Sequence, residues 1–337
     1  MMSLQRTSSP NDAPGTAFPP WLTAPLGHLA AWTRAGRLPS GLLLVGPEGV
    51  GKGLLARRFL QWVACVDSGG TDQPCGICNG CRSYLGGSHP EILEVAPEAP
   101  GKEILVDAVR EVVDFLSLSQ SGPARVVLIS PAEDMTANAA NALLKTLEEP
   151  PAGAALLLTA TRPARLPPTI RSRCQQLRVP HPDRKHVLEW LQAGGRPALT
   201  VDEALAACLD QPMAARDLLQ DPEAIDRWQR DRGALNALLK SRSPFPVIDR
   251  FTACEPGSLV PRLQCLLVSA QRWLLTEEAD AFGRLFDSAQ LAAFAQAHGP
   301  RGLARLLQDS QRWRREVSAA LNPQLRCEEI VLALQPA

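Results

Sequence analysis

Three short runs in the first half of the chain are dominated by consecutive apolar residues: "LLLV" at 42–45, "RVVLI" at 125–129 and "ALLLTAT" at 155–161. Runs of this length, apolar on both alternating sets of positions, predict strands buried on both faces, the condition of a parallel sheet covered by helices. The stretches between them repeat at helical spacing. Leu55, Phe59, Trp62, Val63 and Val66 share one face after the first run, and Ala140, Leu143, Leu144 and Leu147 share another in "NAANALLKTLEEPP", which Pro150 and Pro151 terminate. Strand alternating with helix predicts an α/β domain with right-handed crossovers from Trp21 to about residue 180. Past "HPD" at 181–183 no β-branched run returns, and the pattern becomes amphipathic helix. A small helical unit is expected over about 181–220 and a longer all-α segment over 221–337, where Leu263, Leu266, Leu267, Ala270 and Leu274 form one stripe that reads as helix packing. Residues 1–20 hold Pro, Ser, Gly, Asn and Asp without periodicity and read as a loose tail.

The bulk properties narrow the function. The chain has 337 residues, enough for two or three domains, with 35 basic and 35 acidic side chains and no net charge. No global field draws it to nucleic acid or anionic lipid, so contact with DNA is expected to be local or through partners. No run is long and apolar enough to span a membrane and the polar start lacks a signal peptide's apolar segment, so a cytoplasmic location is expected.

Two motifs carry chemistry. In "GPEGVGKGLL", Gly46, Gly51 and Lys52 fill the G-x-x-x-x-G-K frame of a phosphate loop, placed between a strand and a helix as such a loop requires. The hydroxyl that should follow the lysine to hold magnesium is replaced by Gly53. The strand "RVVLI", which should end in an acid, ends in Ser130 and Pro131, and Glu133 with Asp134 lies too far along to substitute without a rearranged loop, so both read as a solvated turn. ATP hydrolysis is therefore not expected, while phosphate capture by the loop backbone and Lys52 stays open. The second motif is "CVDSGGTDQPCGICNGC", in which Cys65, Cys75, Cys78 and Cys81 are spaced to converge on one ion. Four thiolates at about 2.3 Å make a closed, structural zinc site, which would hold together a Gly-rich insertion. Disulfides are disfavoured in a reducing compartment; an iron–sulfur cluster is the other alternative. The insertion lacks clustered basic or aromatic residues, which argues against a zinc-dependent DNA-binding module. Cys174, Cys208, Cys254, Cys265 and Cys327 read as buried small residues and His89 as a turn residue.

"FPPWL", the cysteine module, "SHPE" at 88–91, "VDAVREV" at 106–112, "ANALLKTLEEPP" at 140–151 and "TIRSRC" at 169–174 together resemble the delta-prime family of bacterial DNA polymerase III clamp-loader subunits. The resemblance covers most of the first 180 residues; the helical remainder shares motifs such as "LNPQLRCEEIVLAL". It implies a RecA-like AAA+ domain with a zinc module, a small helical lid over 181–220 and an all-α collar over 221–337. It also implies a non-hydrolysing stator in a hetero-pentamer with gamma/tau motor subunits and a delta subunit, acting on the sliding clamp and primer-template DNA. Arg173 is the arginine the resemblance offers in trans to a neighbour's ATP site; without it, Arg171 and Arg173 read as surface charges. A second sensor arginine falls at Ala214 or Arg216 and is not assigned. The alternative is a nucleotide-binding, motor-like subunit, since the loop frame is intact.

Overall fold

The computed structural model describes residues 17–335 apart from 69, 100, 119–123, 193–198, 242–248, 252–253, 255, 277–284 and 317–321; most of the expected N-terminal tail thus lies outside the described residues. The chain divides into two compact units, Met1–Trp190 and Leu191–Ala337.

The first unit is built on five parallel strands in the order β2-β3-β4-β1-β5. The apolar runs become β1 (Gly41–Val45), β3 (Arg125–Ile129) and β4 (Ala154–Ala160), which occupy the middle of the sheet, where both faces are covered. The residues after Arg173 form the exposed edge strand β5 (Gln175–Arg178). The other edge, β2 (Ile92–Val95), has no counterpart among the three runs. Its four residues include Glu94, whose charge is answered by Arg57 rather than by solvent.

Helices cover the sheet in the expected alternation. Helix α1 (Pro20–Arg34) packs on α2 (Lys52–Ala64), and α2 lies against β1 and β4. The short α3 (Asn79–Leu85) carries Cys81 and is capped by Cys78, so it holds the last part of the cysteine module. Val66, expected on the face of α2, lies beyond its end and is exposed. Helix α4 (Val106–Ser117) buries Val109, Val112 and Leu116 in the core shared with β2, β3 and β4. The expected leucine-rich helix is divided at Leu143 into α5 (Ala137–Ala142), capped by the Thr136 hydroxyl, and α6 (Leu144–Glu148), yet Ala140, Leu143 and Leu147 all reach the same core. Helix α7 (Pro168–Arg173) ends where β5 begins, and α8 is Arg184–Gln192.

Among its described residues the second unit is entirely helical. Thr200 and Glu203 form a capping box at the start of α9 (Val201–Ala207), and α10 (Pro212–Gln220) and α11 (Pro222–Lys240) follow. In the helix Pro256–Thr276, Leu263, Leu266, Leu267 and Ala270 are wholly buried, as the stripe predicts. Cys265 Sγ and Arg262 Nη1 donate to the carbonyls of Ala206 and Ala207, at 3.1 Å each, at the end of α9. The helix Ser288–Glu316 is interrupted at Gly299 (φ 62°, ψ 177°), beside Pro300. No described helix is long and apolar enough to cross a membrane.

Candidate functional site

Ligands of open parallel sheets bind beyond the carboxyl ends of the strands, and the phosphate loop lies there, between β1 and α2. Its backbone is held from several directions. Gly46 N–H donates to Ala160 O (3.4 Å), Val179 N–H to Val45 O (2.7 Å) and the Trp21 indole N–H to Val50 O (2.9 Å). Trp21 also meets Trp190 edge to face at 5.1 Å, and Trp190 donates to Ala17 O, so "FPPWL" braces the loop. Gly51 precedes α2 with φ 96°, a conformation in which a side chain is strained.

Lys52 is 8 % exposed and its ammonium donates to Gly46 O at 2.8 Å, Pro47 O at 2.6 Å and the Thr161 hydroxyl at 3.0 Å. An ammonium has three protons, and all three are placed. Burial lowers its pKa from lysine's ordinary value, a shift opposed by the charges of Glu133 and Glu48.

At the magnesium corner, a side chain at Gly53 would point between Arg57 Nη1 and Ser130 Oγ, each 3.8 Å from the Cβ position. The two positions that should supply a hydroxyl and an acid therefore face one another, and between them stand a hydrogen atom and a serine whose Oγ is 2.7 Å from Thr159 Oγ1. Arg57 is fixed by Glu94 (3.1 Å), whose other oxygen accepts from the Tyr84 hydroxyl (2.6 Å).

Glu133 corrects the sequence reading. It lies in a one-turn helix, Ala132–Asp134, and instead of facing solvent its Oε1 accepts the backbone N–H groups of Thr161 (2.8 Å) and Arg162 (3.1 Å) at the end of β4. Its Oε2 is buried and has no hydrogen-bond partner among the described residues. Distance along the chain misled here, because the loop after β3 folds back across the strand tips. Burial and the neighbouring Glu133 charge also raise the pKa of Asp134.

Arg173 ends α7 with its side chain 34% exposed, Nη2 2.5 Å from Glu148 and Nη1 donating to Thr169 O at 3.1 Å. Arg171 is half-buried, and its Nε has no hydrogen-bond partner among the described residues. In the second unit Arg216 is buried beside Asp217 (2.8 Å), and Ala214 is half-buried on the same helix.

The four cysteines converge. The Sγ atoms of Cys65, Cys75, Cys78 and Cys81 all lie within 4.8 Å of one another, and Cys65 and Cys78 are 3.9 Å apart. A tetrahedron with metal–sulfur bonds of about 2.3 Å has sulfur–sulfur edges of about 3.8 Å, so the set fits a metal ion. Backbone N–H groups of Cys75, Cys78 and Cys81 donate to the sulfurs of Cys65, Cys75 and Cys78 at 3.3–3.4 Å. The N–H of Cys81, with that of Val66, draws the Cys78 thiol down to about 6 against its desolvation, while burial pushes Cys65 and Cys81 up. A bound cation would supply the charge that lets such thiols lose their protons. His89 takes no part: its Nδ1 accepts the Glu91 N–H.

Comparisons with known proteins bear on the family of the chain. The family model described as "DNA polymerase III, delta subunit" matches residues 23–183. The DNA polymerase III subunit delta' of Pseudomonas aeruginosa is 34% identical over 260 residues, covering 75% of this chain and 79% of that one. That of Escherichia coli is 34% identical over 277 residues, 81% and 78% of the two chains. DNA polymerase III subunit tau of Salmonella typhimurium is 36% identical over 171 residues, half of this chain but 26% of its own length. With relatives at 34% identity matched over most of both lengths, the chain belongs to the delta-prime family of DNA polymerase III subunits.

Proposed function

We propose that this protein is the non-hydrolysing stator of a clamp loader, in a hetero-pentamer with gamma/tau motor subunits and a delta subunit that loads the sliding clamp onto primer-template DNA in the cytoplasm. The observation that carries the reading is a division of labour within one chain. Its phosphate loop faces a corner with no magnesium ligand at Gly53 or Ser130, while a guanidinium stands exposed at the end of α7. Arg173 supplies in trans what its own subunit does not use. A guanidinium is always charged and its planar fork matches phosphate oxygens, so it stabilises charge developing on a neighbour's γ-phosphate. The pairing with Glu148 is compatible with that role. Both partners are substantially exposed, and an ion pair in that setting is worth about 0–1 kcal/mol, so exchanging the carboxylate for a phosphate costs little.

Residues 21–180 serve as the RecA-like AAA+ domain, with 181–220 as lid and 221–337 as collar. Cys65, Cys75, Cys78 and Cys81 hold one structural zinc ion, whose role is to fix the insertion and not to activate water. The intact Gly46, Gly51 and Lys52 frame favours a second reading, a nucleotide-binding motor-like subunit, which requires magnesium-dependent turnover by the isolated chain.

The test is reconstitution with Arg173→Ala and Arg173→Lys. Both variants are expected to fold and assemble. The alanine variant should lower hydrolysis at one neighbouring site by on the order of 10³-fold, the scale of a lost arginine finger, and slow clamp loading. Lysine should rescue poorly because it lacks the fork, and Arg171→Ala should be milder. Full DNA- and clamp-stimulated ATPase with Arg173→Ala would remove the catalytic part of the proposal.

A further inference from the structure

Each surviving residue of the phosphate-loop frame has a structural role that needs no ligand. A Cβ at Gly46 would stand 2.3 Å from Val179 O, so the glycine lets β1 run past the end of β5. Gly51 supplies the left-handed turn into α2. Lys52 ties two loop carbonyls to Thr161 at the tip of β4. Gly53, by contrast, has room for a Cβ, with no neighbour closer than 3.8 Å to it. What has been kept is what the fold uses, and what is missing is what only metal chemistry would use.

We propose that this loop is a closed structural joint, with Lys52 as its tether and Glu133 as a built-in carboxylate that sets its specificity against phosphate anions. The two groups are joined through one residue: the Thr161 hydroxyl accepts from Lys52, and the Thr161 N–H donates to Glu133 Oε1. An incoming phosphate would have to draw Lys52 away from acceptors it already satisfies, and would meet the charge of a carboxylate with one oxygen already buried. Glu48, on the exposed side of the loop, adds charge of the same sign. Arg57, the cation facing Gly53, is paired with Glu94 and does not offset them. This inference concerns what the chain's own loop can hold, and stands whether or not Arg173 serves a neighbour.

The experiment is binding of a fluorescent ATP analogue and of inorganic triphosphate to the full-length chain, with magnesium and with chelator, alongside thermal melts without ligand. The natural chain is expected to show no saturable binding up to about 1 mM. Glu133→Gln, which keeps an acceptor for the Thr161 and Arg162 N–H groups but removes the charge, should gain at least about tenfold in affinity for triphosphate, with or without magnesium. Lys52→Met should abolish that gain and, in the natural background without ligand, lower the melting temperature by about 4 °C or more. Saturable binding by the natural chain tighter than about 1 mM, or a folded Glu133→Gln chain that binds no more tightly, would overturn the carboxylate's role. An unchanged melting temperature for Lys52→Met would overturn the tether, whatever becomes of the glutamine variant.

Discussion

Glu91 and Arg125 meet in the interior at 2.7 Å, 5 % and 4 % exposed, and Arg125 also donates to Phe115 O and Leu118 O, at the end of α4. One guanidinium thus joins β3, the residue before β2 and the end of a helix. Removing one partner of a buried pair strands the other, so Glu91→Ala should cost about 3 kcal/mol, read as a lower urea midpoint with an unchanged slope. A loss below about 1 kcal/mol would mean that the carbonyls alone satisfy Arg125. Glu91 is legible in the sequence as part of "SHPE", but its partner lies 34 residues away and nothing in local pattern connects them. Glu133 shows the same limit: spacing along the chain placed it in solvent, whereas the chain's return path places it at the tip of β4.

At the scale of elements, the cysteine module is fastened by more than its sulfurs. Trp62 Nε1 donates to Thr71 O (3.0 Å), and Arg34, stacked 5.3 Å over the Trp62 ring, reaches Thr71 O and Asp72. At the start of α3, a Cβ on Gly80 would stand 1.9 Å from Ala64 O, so this helix sits directly on the end of α2. The protein purified without chelator is expected to carry about one zinc ion per chain. Chelation, or Cys75→Ser, should open 65–81 to proteases while the sheet melts at nearly its usual temperature, since none of the four cysteines belongs to a strand. Iron, or no metal, in elemental analysis would refute this. The convergence of the cysteines was legible because their spacing is local; the Arg34 and Trp62 anchors were not, because α1 supplies one of them from a distant part of the chain. Likewise the three central strands announced themselves by runs of consecutive apolar residues, whereas β2 is short and carries Glu94, whose compensation by Arg57 is a tertiary fact.

For the whole molecule, the change from alternating strand and helix to helix alone was readable as a loss of β-branched runs, but the place where one compact unit yields to the next was not. That place depends on which helices share a core. The carbonyls of Ala206 and Ala207 are held from the helix Pro256–Thr276, so a fragment beginning at Leu191 is expected to be more stable than one beginning at Asp221, and thermal melts of the two will decide. Both should associate with the corresponding helical segments of partner subunits without the zinc-bearing unit. A folded 191–337 fragment indifferent to partners at micromolar concentration would place the assembly surface elsewhere.

The vacant space at Gly53 bears on reversibility. A Cβ there would meet neighbours only at 3.8 Å, an ordinary contact, so recovery of a metal-binding side chain is sterically open at that atom on the helix side. On the strand side it is not, because Ser130 is committed to Thr159 and is followed by Pro131. A Gly53→Thr chain would thus recover one half of the metal corner and not the other.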